Sequence, residues 1–152
     1  MKVSFITLVL LSLCAGLDAA ERVPGTKVSL DAPDGFEATK QFPGFTMESA
    51  GSSIMVTEMP APFSEASKGI TKEGVATRGM ELLEKTEVDA GPGRAYLLHV
   101  RQEANGIKFL KWMLAFGNEA ESVIVVAAFP EELAKDLKEV MKQAVLSTQW
   151  DE

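Results

Sequence analysis

The chain has 152 residues and a formal net charge of −7, from 15 basic and 22 acidic side chains. An acidic balance without cationic clusters argues against a nucleic-acid partner, because phosphate binding requires concentrated lysine and arginine. With one cysteine, Cys14, and one histidine, His99, the chain also lacks the ligands of the usual structural zinc sets.

An apolar run at residues 3–13 follows Lys2 and ends at Cys14-Ala15-Gly16. Its length is about half of the roughly 20 residues needed to span a bilayer as a helix. A cation, a short apolar run and then small residues form the tripartite pattern of a secretory signal. Residues 1–20 are therefore assigned to a signal peptide and residues 21–152 to a single domain. The expected location is outside the cytoplasm, and periplasmic if the source is a Gram-negative bacterium. Cleavage after Gly16 or Ala19 fits the small-residue rule. Leu13 stands immediately before Cys14, where a lipid-attachment signal needs Gly, Ala or Ser, so a lipid anchor on Cys14 is not expected.

The remaining chain, about 130 residues, falls in the commonest size range for one domain. It keeps the net charge of −7 and has no cysteine, so its stability must come from its core rather than from disulfides. No polybasic stretch addresses it to an anionic membrane. Its longest apolar run, 123–129, is too short to cross one.

In chain order, 27–30 predicts a brief strand, followed by the turn Asp31-Ala32-Pro33-Asp34-Gly35. Short extended pieces are expected at 36–39 and 45–48, and an alternating strand at 54–59. Pro60 and Pro62 end that strand. Helices are then expected over 63–68 and 71–83, with Ser64 and Thr71 as N-caps. Gly69, Gly74 and Gly79 count against a continuous helix, since each costs about 1 kcal/mol relative to alanine. Strands over 94–103, 107–116 and 121–129 form an antiparallel meander, because Asn105-Gly106 is the strongest short hairpin signal. The strand at 123–129 is apolar throughout, so it is expected to be central and covered on both faces. Pro130 opens a final helix whose apolar face is Leu133, Leu137, Val140, Met141, Ala144 and Val145. Trp150 is expected to pin its end. Helices on both sides of a largely antiparallel sheet make an α+β, three-layer α/β/α sandwich.

Motifs that carry chemistry are sparse. No Gly-x-Ser-x-Gly elbow accompanies His99, so it is read as a plain strand position. Asp31, Asp34 and Glu37 lack the spacing of a calcium loop. Met55 and Met59 with His99 supply soft copper donors, but two methionines on one strand face are better read as core packing. Neither phosphate-binding glycine motif occurs. No catalytic, cofactor-binding or metal-binding residue is assigned. One constellation stands out: Met59, Pro60, Pro62 and Phe63 form an apolar, proline-stiffened loop, and rigid loops present side chains to a partner at low ordering cost.

Three stretches carry a family resemblance: Val28-Ser-Leu-Asp-Ala-Pro-Asp-Gly-Phe36, Ile54-Met-Val-Thr-Glu-Met-Pro60, and Ser122-Val-Ile-Val-Val-Ala-Ala-Phe-Pro130 before a helix ending in Thr148-Gln-Trp150. The order resembles the PsbP-like α/β/α sandwich, including exported bacterial proteins of the DcrB type, over about residues 27 to 150. That resemblance implies a non-catalytic accessory role with another envelope protein as partner. The alternative reading is a small-ligand or metal-binding periplasmic module using a pocket between sheet and helices.

Overall fold

The computed structural model describes residues 20–90 and 93–151. The signal-like run, Cys14 and the signal cleavage positions lie outside the described residues. In chain order the strands are β1 Glu21–Arg22, β2 Val28–Leu30, β3 Glu37–Ala38, β4 Gly44–Met47, β5 Ser52–Met59, β6 Met80–Ala90, β7 Gly93–Ala104, β8 Ile107–Gly117, β9 Ser122–Pro130 and β10 Gln149–Trp150. The α-helices are α1 Phe63–Ala66, α2 Lys72–Ala76 and α3 Ala134–Leu146.

The predicted meander is present. Asn105 and Gly106 adopt φ of 52° and 78°, the left-handed pair that a two-residue hairpin requires, and Ala104 faces Ile107 across the ladder. The following turn is closed by the Asn118 side chain, whose Oδ1 accepts from the Ala120 and Glu121 amides at 2.8 and 2.9 Å. Gly117 is required there. A Cβ on it would lie 2.5 Å from the Glu121 carbonyl oxygen and 2.8 Å from the Ser122 Cα.

Seven strands form one antiparallel sheet in the order β3-β4-β5-β9-β8-β7-β6, which puts β9 at its centre. On the first face Val123, Val125, Ala127 and Phe129 are completely buried or nearly so, against Met141, Ala144 and Val145 of α3. The small sheet β1-β2-β10 extends that layer. Trp150 packs edge-on to Phe116 at 5.6 Å and so fastens the chain beyond α3, as expected. The second face is covered by α1 and α2 over Leu98, Val100 and Ala115. The result is the three-layer α/β/α sandwich with an antiparallel sheet.

The second layer is smaller than the sequence implied. Val126 and Ala128 on β9 are only half-buried, and Met55 beside them is exposed, so the central strand is fully covered on one face only. The expected helix over 71–83 stops after Ala76. Gly79 takes a φ of +73°, and Met80 onward is the edge strand β6, an element the sequence reading missed. A β-bulge between Leu82 and Glu84 turns Leu83 outward, which breaks the alternation that marks a strand. Of the two expected caps, Thr71 accepts from the Gly74 amide, whereas α1 begins after Pro62 and Ser64 caps nothing. Pro130 is the last residue of β9 and precedes a 3-10 turn, Glu131–Leu133, before α3 begins.

Gly44 on β4 is packed so closely to β5 that a Cβ would sit 1.9 Å from the Ile54 carbonyl oxygen. Gly44→Ala must therefore separate two paired strands, and its expected cost is about 2 kcal/mol or more. Urea denaturation measures it; a loss below about 1 kcal/mol would contradict the close approach.

Candidate functional site

The proline-stiffened loop joins β5 to α1 and is anchored to the turn that follows β8. Ser122 Oγ donates to the Ala61 carbonyl at 2.6 Å, and the Phe63 amide donates to the Asn118 carbonyl at 2.9 Å. The Phe63 ring lies 5.9 Å from Tyr96 and packs into the second-face core. Of the four singled-out residues, Pro60 is exposed, while Met59, Pro62 and Phe63 are half-buried. Met59 leads instead to a cavity.

That cavity, about 250 Å³, lies between the helical segment and the second face of the sheet. Leu98, Met113, Ala115 and Ile124 come from the sheet, and Ile70 and Val75 from the segment above it. One close backbone approach and one side-chain contact shape that segment. A Cβ on Gly74 would meet the Gly69 carbonyl oxygen at 2.2 Å, and one on Gly69 would meet the Arg78 guanidinium at 3.3 Å. Two charged side chains, Glu65 and Arg78, complete the lining. Glu65 pairs with Lys68 at 2.7 Å. The Arg78 guanidinium has no hydrogen-bond or ion-pair partner among the described residues. Further along the same face Lys111 donates to Gln102 Oε1 at 2.5 Å, and burial pushes its ammonium pKa below the ordinary value.

A second concavity, an open groove of about 800 Å³, runs between α3 and the turn at 31–36. Gly35, with φ of +85°, makes the Pro-Asp-Gly turn, and the Phe36 amide donates to the Pro33 carbonyl. The Asp31 amide donates to Ser147 Oγ at 2.8 Å, which ties the turn to the end of α3. Ala32, Phe36, Leu137, Val140, Ala144 and Leu146 give the groove an apolar floor, with Asp31, Asp34 and Glu139 as its charged members. No lysine or arginine lines it. Val140, read from the sequence as core, is 45% exposed. The apolar stripe of α3 is wider than its contact with the sheet, and Val140 is on the overhang.

His99 lies on the first face beneath α3, stacked on Trp112 with ring centroids 4.2 Å apart. Trp112 Nε1 donates to the Lys138 carbonyl at 2.9 Å, and the Lys142 ammonium covers the indole at 5.1 Å. His99 Nε2 is buried without a hydrogen-bond partner. Met55 and Met59 occupy the opposite face, so sheet geometry separates them from His99. Met55 is exposed rather than packed in the core, because the second layer stops short of it. Asp31, Asp34 and Glu37 form no metal-holding group, and no such cluster occurs among the described residues. No helix among the described residues is long and apolar enough to cross a membrane.

No protein-family model matches the chain, and no curated protein matches its sequence. Solved structures do match. CyanoP, the cyanobacterial PsbP of Synechocystis sp. PCC 6803, superposes over 93% of this chain and 99% of its own, with a TM-score of 0.56 at 14% identity. The fold is PsbP-like. LpqN of Mycobacterium tuberculosis, described as involved in cell envelope biogenesis, matches over 80% of this chain and 82% of its own, with a TM-score of 0.58 at 11% identity. PA94 of Pseudomonas aeruginosa, a protein of unknown function, matches over 63% and 70%, with a TM-score of 0.52 at 14% identity. At such identities the likeness establishes the PsbP-like fold alone.

Within this fold the buried histidine has a titration consequence. Burial, then the Lys138 ammonium, hold the His99 pKa below its ordinary 6.5; Arg101 and Lys142 act the same way, and Glu84 opposes them. As pH falls, the unfolded chain takes up this proton before the folded one does. The stability His99 contributes is therefore complete above pH 6.5 and is lost as pH falls through the depressed folded value. Thermal melts should show that loss in the wild type, and His99→Phe, which keeps a ring on Trp112 without a titrating group, should remove it. Identical slopes below pH 6.5 would refute the assignment.

Proposed function

We propose that this chain is an exported, non-catalytic accessory domain that docks on another envelope protein. The groove along α3 carries this reading. It is the largest of the concavities described above, it leaves Val140 open to solvent, and its charged residues are carboxylates only. Those features fit a cationic amphipathic helix, with apolar side chains every three or four residues against Val140 and Leu137 and lysines or arginines beside Asp31, Asp34 and Glu139. His99 is beneath α3, stacked on Trp112, with no nucleophile of a recognised motif beside it. The involvement of LpqN in cell envelope biogenesis and the signal-like residues 3–13 support the location. The loop of Met59, Pro60, Pro62 and Phe63 is then a secondary contact, with Pro60 its exposed member.

A photo-crosslinking side chain at position 143, which lines the same groove one helical turn from Val140, tests this in cells of the source organism. The expected product joins α3 to a cationic, amphipathic segment of an envelope protein. Val140→Lys should abolish that product while changing stability by no more than about 0.5 kcal/mol, because the site is exposed. Wild-type-like capture by Val140→Lys, or crosslinks only to acidic segments, would sink the reading.

A further inference from the structure

The cavity beneath α1 and α2 has a different character from the groove and lies on the other side of the sheet. Its walls are apolar apart from Glu65 and Arg78. The Glu65 charge is answered by Lys68, whereas the Arg78 guanidinium, exposed to solvent, has no ion-pair partner among the described residues of a chain of net charge −7. The apolar part of such a space favours an apolar ligand segment, and its few charged members favour a ligand with one polar end. Other polar groups on a ligand would be stranded against Leu98, Ile124 and Ile70, at the cost of an unmade hydrogen bond.

We propose that this cavity binds a medium-chain carboxylic acid, its acyl tail against Met113 and Ile124 and its carboxylate on Arg78. A guanidinium offers two parallel N–H donors matched to a carboxylate. At roughly 30 Å³ for each water-sized group, the cavity of about 250 Å³ holds about eight heavy atoms, the length of an octanoyl tail. Met59 and Met113 supply deformable walls suited to a flexible chain. Entry is provided by the segment above the cavity. Its helices have four and five residues, too short to be stable by themselves, so it opens at lower cost than the sheet. This site is independent of the docking groove, and either can fail without the other.

Calorimetric titration of the full chain with monomeric sodium octanoate, and with 1-octanol as the uncharged probe, tests the proposal. The wild type should bind one octanoate saturably. Arg78→Gln should weaken octanoate about tenfold or more, an ion pair's share of affinity, and leave octanol unchanged. Ala66→Phe, which fills the cavity from α1, should lose both ligands. Should that variant not fold, methionine-methyl NMR of the wild type replaces it. Met59 and Met113 should shift with octanoate, whereas Met47 and Met141, packed on the other face, should not. No saturable octanoate binding, equal octanoate affinity in Arg78→Gln, retained binding in folded Ala66→Phe, or shifts confined to Met47 and Met141 would each overturn it.

Discussion

Strand β9 must satisfy two demands at once, and the rest of the fold is arranged around that. Both of its edges are paired, to β5 on one side and β8 on the other. One whole face, from Val123 to Phe129, is withdrawn from water. A strand with both edges paired has no unmet backbone groups, so it tolerates an all-apolar sequence. An apolar sequence in turn needs cover. Helix α3 supplies it through Met141, Ala144 and Val145, and β10 with Trp150 holds the chain beyond α3 against Phe116.

The second face is where the molecule departs from a uniform sandwich. Its cover is a short helical segment, hung between β5 and β6 and shaped by the Gly69–Gly74 approach. Because this layer is small, it leaves a cavity beneath it and an uncovered strip at Met55 and Val126. The first face has the opposite arrangement. Its helix is long enough to overhang the sheet, so the surplus apolar residue Val140 lines a groove. Unequal layers on a central strand thus produce two concavities with different chemistry, one open with carboxylates and one smaller and mainly apolar with the exposed Arg78 guanidinium in its lining.

The elements legible in the sequence are those whose signals are local. Asn105-Gly106 sets its hairpin by backbone preference, the run at 123–129 declares a central strand, and Thr71 caps α2. The edge strand β6 was not legible. Leu82-Leu83 with charges around them reads equally as a helix turn, and only the positive φ of Gly79 and the bulge at Leu82/Glu84 decide otherwise. The cavity was hidden for a related reason. Met113 and Ile124 meet through strand register, and Arg78 reaches them from the turn after α2, so no spacing rule could assemble the three.

By itself the sequence determined the class of the protein: an acidic α+β domain, cysteine-free beyond Cys14, with an antiparallel meander and a closing amphipathic helix. Periodicity and turn chemistry are local properties of a chain, and they sufficed for that. Tertiary structure alone decided which apolar residues are left over. Val140 and Met55 carry the same core-like signals as Val145 and Ile54, yet they are exposed. Burial depends on how far each covering layer extends, and that extent is a property of the packed layers rather than of any segment within them.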